Sequence, residues 1–185
     1  MNILILYGSS EGQTAQIAQR ITELIREKGH QVTVQSGDDL PGGFAVDDFD
    51  AAIIGGSIHM GKYQPYVKAF IRAHCKWLSS VPTALFTVCM AVSSRHAKDR
   101  AAARAYGERL LKETGWRPVL IETFAGAVKY TRYGFITRFV MKQISKREGG
   151  STDTSCDHEY TDWAEVERFV EAFLARIGER AAQPA

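Results

Sequence analysis

The amino-terminal stretch MNILILYGSSEGQTAQIAQRI restricts the fold more than any other part of this chain. It joins the apolar run at 2–7 to an amphipathic helical pattern at 14–28 through a short turn of small and polar residues. A short apolar strand that ends in glycine and leads directly into a helix is typical of the buried parallel strands of α/β proteins. The chain is therefore expected to begin with a strand at the centre of a parallel sheet.

The same alternation of strand and helix patterns continues along the chain. Further strands are predicted at 31–36, 51–56, 83–92 and 118–128, and further helices at 63–78, 97–114 and 162–177. Thr161 or Asp162 is the predicted N-cap of the last helix, with Glu165 completing a capping box. Five strands separated by helices predict an α/β fold with a doubly wound, five-stranded parallel sheet and helices on both faces. The alternating pattern of 31–36 predicts an edge strand.

Ligands of doubly wound sheets bind beyond the carboxyl ends of the strands, where the strand order reverses. This rule brings together three loops, at 8–14, 55–63 and 87–96. Among them, the turn GSSEGQT places the hydroxyls of Ser9, Ser10 and Thr14 at a helix N-terminus, which is an anion-binding arrangement. Gly12-Gln13-Thr14 lacks the lysine of a nucleoside triphosphate loop, and the glycine spacing does not fit a dinucleotide fingerprint. One terminal phosphate monoester suits the turn best.

Length and composition predict one domain over 1–178 with a disordered tail over 179–185. The chain has 185 residues, a formal net charge of +2 and three cysteines. No apolar run is long enough to span a bilayer, and no signal peptide precedes the first strand, so a cytoplasmic protein is expected. Cys75, Cys89 and Cys156 lack the spacing of a metal site or a disulfide framework. Neither a metal nor a nucleic-acid partner is expected.

The loop SSEGQT, followed by a helix, resembles the phosphate loop of the flavodoxin-like FMN-binding proteins. Further stretches resemble the flavodoxin-type, quinone-dependent protoporphyrinogen oxidases of bacteria: GGSIHMGKY (55–63), GWRP (115–118), AGAVKYTRY (125–133), GGSTDT (149–154) and YTDW (160–163). The resemblance covers about residues 2–175. It implies an oxidoreductase of haem synthesis that uses FMN to oxidise protoporphyrinogen IX to protoporphyrin IX. It also implies that the electrons pass to a membrane quinone, menaquinone or ubiquinone.

The resemblance also implies which residues would bind the cofactor. The cofactor-binding residues are predicted to be Ser9, Ser10, Glu11, Gly12, Gln13, Thr14, Gly56, Ser57, Ile58, His59, Tyr63, Thr87, Val88, Cys89 and Met90. Gly55 and Gly56 are expected to let the backbone approach the flavin edge. No aromatic residue occurs in TVCMAVSS (87–94), so one face of the ring is expected to be open for a flat substrate. His59 is either a proton relay or a surface histidine.

Residues 129–160 are too long for an ordinary connection and are predicted to be an insertion after the last strand. From Lys129 to Arg147 (hereafter the basic segment) this insertion carries six cations and no acid. Arg138, Lys142 and Lys146 recur at every fourth residue beside an apolar arc, as on a helix that lies in an anionic membrane surface. This pattern predicts a peripheral location on the cytoplasmic face of the inner membrane.

Two other partners for the basic segment are open. The same cations, especially Lys129 and Arg132, would suit the substrate propionates, and Tyr130 between them is also predicted to contact substrate or membrane. The apolar arc would suit the chain's own core or a second copy in a homo-oligomer. Two other functions are also open for the whole chain: a flavodoxin-type electron carrier, or an FMN-dependent quinone reductase supplied by a nicotinamide.

Overall fold

The computed structural model describes residues 1–128 and 155–181. The elements are β1 (Asn2–Gly8), α1 (Gln13–Glu27), β2 (Gln31–Ser36), β3 (Ala51–Ser57), α2 (Pro65–Ala73), α3 (Cys75–Ser80), β4 (Thr83–Val88), a 3-10 turn (Met90–Ser93), α4 (Ala97–Thr114), β5 (Leu120–Phe124), β6 (Ala127–Val128), β7 (His158–Glu159) and α5 (Trp163–Ala181).

Five of the strands form one parallel sheet in the order β2-β1-β3-β4-β5. The chain passes from β1 to β2 on one side and returns to β3 on the other, so the order reverses between β1 and β3. This reversal opens a crevice at the carboxyl ends of those strands. The predicted parallel sheet and its edge strand at 31–36 are confirmed.

Two apolar layers cover the sheet, one on each face. In β1, Ile3 and Ile5 pack in a cluster that includes residues of α1 and α5, whereas Leu4 and Leu6 pack in a cluster that includes residues of α2 and α4. Because successive side chains of a strand point to opposite faces, helices on both sides follow directly from the apolar run at 2–7. The doubly wound architecture is confirmed.

The helix predicted at 63–78 is two helices instead. It begins only at Pro65, with Gln64 at the N-cap position, because proline favours the first position of a helix. The backbone of His74 leaves helical geometry (φ −111°, ψ 19°), which separates α2 from α3.

Two predicted strands were too long. The strand predicted at 83–92 ends at Val88. The 3-10 turn follows it at Met90–Ser93, where Val92 N donates a hydrogen bond to Cys89 O. The strand predicted at 118–128 divides in two. Its first part, β5, pairs with β4, whereas β6 leaves the main sheet and pairs antiparallel with β7.

The last helix runs four residues beyond the predicted end at 177, to Ala181. Residues 179–181 are therefore helical rather than part of a disordered tail. Asp162 caps α5, since its Oδ1 accepts from Ala164 N at 2.9 Å and Glu165 N at 3.4 Å. Within the described ranges, no helix has both the length and the apolar character needed to cross a membrane.

Candidate functional site

A cavity of about 380 Å³ lies where the three predicted loops meet, at the carboxyl ends of β1, β3 and β4. We call it the switch-point cavity. Its lining consists of Ser9, Ser10, Glu11, Gln13, Thr14, Ser57, Ile58, His59, Met60, Val88, Cys89, Met90, Ala91, Gly126 and Ala127. Its volume falls within the range of about 300–1,000 Å³ that is usual for small-molecule sites.

One end of the switch-point cavity is formed by residues 9–14, the phosphate loop. Gly12 has a left-handed backbone (φ 93°) and stands at the N-cap position of α1, and its N–H donates to Ser9 Oγ at 3.0 Å. The first N–H groups of a helix have no carbonyl partner within the helix. The N–H groups of the first turn of α1 are therefore available at this end of the cavity, as an anion requires.

Buried polar atoms without a partner mark the same region. They are Gln13 Oε1, Thr14 Oγ1 and Gln64 Oε1. A buried polar atom that lacks a hydrogen bond costs about 1–3 kcal/mol, so three of them in one place point to a missing ligand or water.

Two residues outside the prediction hold the phosphate loop in place. Gln64 Nε2 donates to Ser10 Oγ at 3.0 Å and to Ser57 Oγ at 2.6 Å, which joins the phosphate loop to the end of β3. Thr161 accepts from Gln13 Nε2 at 3.0 Å and donates to Ala125 O at 2.9 Å, which joins the loop to the end of β5. Neither contact has a local sequence signal, because each joins segments that are distant along the chain. Only Pro65 indicates that Gln64 begins a helix.

The other end of the switch-point cavity is apolar. Ile58, Met60, Val88, Met90 and Ala91 contribute side chains there, and Met60 is 89% exposed at its edge. No Phe, Tyr or Trp from the described ranges 1–128 and 155–181 lines the cavity. Within those ranges the cavity therefore lacks an aromatic cover, as the sequence TVCMAVSS predicts.

The glycines of β3 have a packing role that the sequence did not indicate. A Cβ on Gly55 would lie 2.1 Å from Phe86 Cζ, and a Cβ on Gly56 would lie 2.6 Å from Tyr63 Cδ1. Neither glycine lines the switch-point cavity. They make room for aromatic rings of this chain, and the approach of their backbone to the flavin edge stays a prediction.

Three further predicted cofactor residues lie outside the lining: Gly12, within the phosphate loop, and the pair Tyr63 and Thr87. Tyr63 is 7% exposed in the apolar layer beside α2, and its hydroxyl lies 2.6 Å from Thr87 Oγ1. Burial raises the pKa of Tyr63 to about 12, so the phenol stays protonated at neutral pH. Tyr63 and Thr87 pack behind the site, and a part for either in cofactor binding stays a prediction.

Cys89 and His59 both line the switch-point cavity but differ in environment. Burial raises the pKa of the Cys89 thiol, and a backbone hydrogen bond to Ala91 offsets only part of that shift. A protonated, buried thiol is a poor nucleophile, which leaves Cys89 as a packing residue of the wall. His59 is exposed, and its backbone pairs with Lys62 across a tight turn. Its use as a proton relay stays a prediction.

The residues predicted to bind substrate or membrane lie outside the described ranges. They are Lys129, Tyr130, Arg132, Arg138, Lys142 and Lys146. The structure does describe the residues on either side of them. Ala127 lines the switch-point cavity, and Ala127–Val128 pairs with His158–Glu159. The insertion therefore begins and ends at the wall of the cavity.

The donor set of the switch-point cavity fits FMN. The phosphate loop offers hydroxyls and helix N–H groups, and no Lys or Arg appears in the described lining. Neutral donors of this kind bind a single phosphate monoester without the lysine that a nucleoside triphosphate requires. The apolar end offers a surface on which a flat ring system can lie.

Comparison with known proteins places this geometry in a family. The flavodoxin domain model matches residues 4–155. A protoporphyrinogen IX dehydrogenase (quinone) of Escherichia coli strain K12 is 33% identical over 169 residues, or 91% of this chain and 92% of that protein. One from Leishmania major is 30% identical over 176 residues, or 93% of this chain and 74% of that protein.

Solved structures agree on the fold. The oxidised Flavodoxin 1 of Bacillus cereus superposes with a TM-score of 0.59 at 17% identity, covering 95% of this chain and 98% of that one. A flavodoxin from the domain Archaea gives a TM-score of 0.55 at 17% identity, with coverages of 96% and 99%.

Proposed function

This chain belongs to the flavodoxin domain family, and from that membership we propose that it is an oxidoreductase that converts protoporphyrinogen IX to protoporphyrin IX. The cofactor is FMN, and a quinone is the electron acceptor. Relatives named protoporphyrinogen IX dehydrogenase (quinone) match at least 91% of the chain, which supports both the substrate and the acceptor. The observation that carries the proposal is the apolar end of the switch-point cavity, where no Phe, Tyr or Trp of residues 1–128 and 155–181 covers the surface on which a flat substrate would lie.

The residues of the switch-point cavity divide into two groups by chemistry. At the polar end, Ser10, Thr14 and the first N–H groups of α1 would hold the FMN phosphate. At the apolar end, Ile58, Val88 and Met90 would pack on the flavin ring and keep water from it. When bound, FMN supplies the redox chemistry, and the protein positions the ring and excludes side reactions.

The balance of the reaction sets what the site must allow. Protoporphyrinogen IX loses six electrons and six protons when it becomes protoporphyrin IX, and three quinones become three quinols. A two-electron cofactor must therefore turn over three times for each product. The site needs an opening that admits a large flat substrate and a quinone in turn, and among the described residues the exposed edge at Met60 meets that need.

The first experiment is anaerobic. Protein loaded with FMN is mixed with protoporphyrinogen IX while flavin absorbance and porphyrin fluorescence are recorded, and a quinone is added afterwards. We expect the flavin to bleach as porphyrin fluorescence grows, and quinone to restore the flavin colour.

Each alternative function predicts a different result when a reductase protein or a nicotinamide is tried in place of protoporphyrinogen IX. A flavin that is reduced by a reductase protein and not by porphyrinogen would indicate an electron carrier. A flavin that is reduced by a nicotinamide and not by porphyrinogen would indicate a quinone reductase of another kind. Either result would contradict the proposed reaction while leaving FMN binding intact.

A peripheral membrane location is the second part of the proposal. A quinone acceptor and a porphyrinogen substrate are both apolar, and the basic segment offers six cations without an acid. Each cation near an anionic surface contributes about 1 kcal/mol of binding free energy, so the segment suits reversible, salt-sensitive attachment. We therefore expect the protein at the cytoplasmic face of the membrane that holds the quinone.

Charge reversal tests the membrane location. Arg138, Lys142 and Lys146 are replaced together by Glu, and binding to vesicles containing anionic lipid is measured by sedimentation. Lys98, Arg104 and Lys112 replaced by Glu form the control, because these exposed cations of α4 give the same change in net charge. We expect release only in the first variant. Equal release in both, or in neither, would contradict a specific role for the basic segment.

A further inference from the structure

Gln64 contacts both the phosphate loop and the end of β3 through a single group. Its amide nitrogen donates to Ser10 Oγ at 3.0 Å and to Ser57 Oγ at 2.6 Å. The side chain is only 8% exposed, although glutamine is normally a surface residue. Both serines line the switch-point cavity.

The hydrogens available on Gln64 and on the two serines determine the direction of these hydrogen bonds. A glutamine amide nitrogen carries two hydrogens, and a serine hydroxyl carries one hydrogen and two acceptor lone pairs. Because both amide hydrogens go to the serines, each serine oxygen acts as an acceptor toward Gln64. The hydroxyl hydrogen of each serine must then point elsewhere, and the switch-point cavity is the space that both serines face.

The surroundings fix the amide in place. A Cβ on Gly8 would lie 2.7 Å from Gln64 Oε1 and 2.5 Å from Val67 Cγ2, so only glycine at position 8 leaves room for the side chain. Gln64 also holds the N-cap position of α2, just before Pro65. The amide oxygen is buried without a partner. The amide nitrogen is thus held between two serines while the oxygen lies on the buried side, which fixes which end of the amide meets the hydroxyls.

We propose that Gln64 is a positioning residue that orients the hydroxyls of Ser10 and Ser57 as hydrogen-bond donors into the switch-point cavity, and so favours FMN over flavins that lack the phosphate. This inference rests on FMN being the cofactor of the proposed function. The loop has no cation in its described part, so correctly oriented neutral donors carry the recognition of the phosphate.

The test measures the binding of FMN and of riboflavin to the apoprotein by quenching of flavin fluorescence. Gln64→Glu keeps the shape but can only accept hydrogen bonds from the two serines, so it turns their hydrogens away from the cavity and adds negative charge. Gln64→Met removes the donors without adding charge. Gln35→Glu is the matched control, because Gln35 also donates through its amide, to Asp39 O, but does not line the cavity and contacts neither serine.

We expect Gln64→Glu to weaken FMN binding by roughly tenfold or more, the effect of one lost hydrogen bond to a charged group. The affinity for riboflavin should change much less. Gln64→Met should lie between this variant and the wild type, and Gln35→Glu should match the wild type. An unchanged ratio of FMN to riboflavin affinity in Gln64→Glu would overturn the inference, even if the variant were less stable.

A second measurement separates orientation from charge and from folding. Gln64→Met is introduced into a chain in which Ser10 and Ser57 are both Ala. With no hydroxyl left to orient, we expect the substitution to have little further effect on FMN. An equal loss in both backgrounds would overturn the inference. A wild-type chain that does not prefer FMN at all would instead contradict the proposed function itself.

Discussion

Gly55 and Gly56, at the carboxyl end of β3, show how one missing Cβ shapes the wall behind the site. The space beside Gly55 is filled by the ring of Phe86, and the space beside Gly56 by the ring of Tyr63. These rings close the core directly behind Ser57 and the switch-point cavity. The two glycines are therefore needed for stability before they are needed for any ligand.

Replacing Gly55 by Ala is expected to destabilise the protein by about 1–3 kcal/mol, the usual cost of overpacking a core. Gly178→Ala is the control, since no atom lies within 4 Å of its added Cβ in α5. In a helix, Ala is favoured over Gly by about 0.5–1 kcal/mol, so the control should be more stable than the wild type. Urea unfolding of both variants checks this, and a Gly55→Ala protein of wild-type stability would contradict the close contact with Phe86.

The phenol of Tyr63 gives a second prediction at the residue scale. Its pKa is about 12 in the folded protein against 10.0 for an ordinary tyrosine. The folded state therefore holds this proton more tightly than the unfolded state. The stabilisation is fully present below pH 10 and is lost as the pH rises toward 12.

Unfolding free energies measured between pH 9 and pH 12 test whether this stabilisation is lost as the pH rises. Each unit of pKa difference corresponds to about 1.4 kcal/mol, so the unfolding free energy of the wild type should fall by on the order of 2 kcal/mol more than that of Tyr63→Phe over this range. Tyr63→Phe should begin lower at pH 9, because it lacks the hydrogen bond to Thr87. Parallel pH curves for the two proteins would contradict a buried, proton-holding Tyr63.

At the scale of elements, the sequence predicted which elements exist better than where they end. Apolar runs predict buried strands because burial on both faces demands them, and the alternating pattern of 31–36 predicts the edge strand; together these patterns located all five strands of the main sheet. The end of the strand at Val88 and the departure of β6 from the sheet were missed. Both depend on partners from distant segments, such as Phe124 O for Cys89 N and β7 for β6.

In the candidate site, too, local patterns could be predicted and contacts between distant segments could not. The phosphate loop could be predicted from a local pattern of small residues before a helix. Gln64 and Thr161 could not, because their roles arise from contacts across 54 and 148 residues of sequence. Gly56 and Tyr63 were assigned to the cofactor on resemblance, yet the structure packs one against the other.

The start of α5 supports a prediction for an element. Asp162 accepts from two backbone N–H groups of the first turn, Ala164 and Glu165. Asp162→Ala should cost about 1 kcal/mol of unfolding free energy, whereas Asp162→Asn, which retains a cap, should cost much less. Equal stability of the Ala and Asn variants in urea unfolding would show that the cap contributes nothing.

At the scale of the whole molecule, the cofactor is expected to act as a stabilising partner. The phosphate loop is tied to α2 through Gln64 and to the end of β5 through Thr161, so a ligand there strengthens contacts among three regions. A ligand that binds only the folded state at one hundred times its Kd adds about 2.7 kcal/mol.

Thermal unfolding of the apoprotein with FMN and with riboflavin, each at the same concentration, measures this effect. FMN should raise the Tm by several degrees, and riboflavin should raise it less, since only FMN uses the phosphate loop. FAD, with a second phosphate and no free terminal monoester, serves as a further comparison. A Tm that FMN does not change would contradict FMN as the cofactor.

The short antiparallel pair of β6 and β7 has a consequence for how this protein can evolve. Val128 pairs with His158, so the two ends of the sequence between them are held side by side. Doubling the length of a closed loop costs only about 0.6 kcal/mol, and neither end of this one lies within the main sheet. Changes of length or charge between these two residues therefore leave the register of the five-stranded sheet unaltered, so that one flavin scaffold can be fitted to new substrates or surfaces.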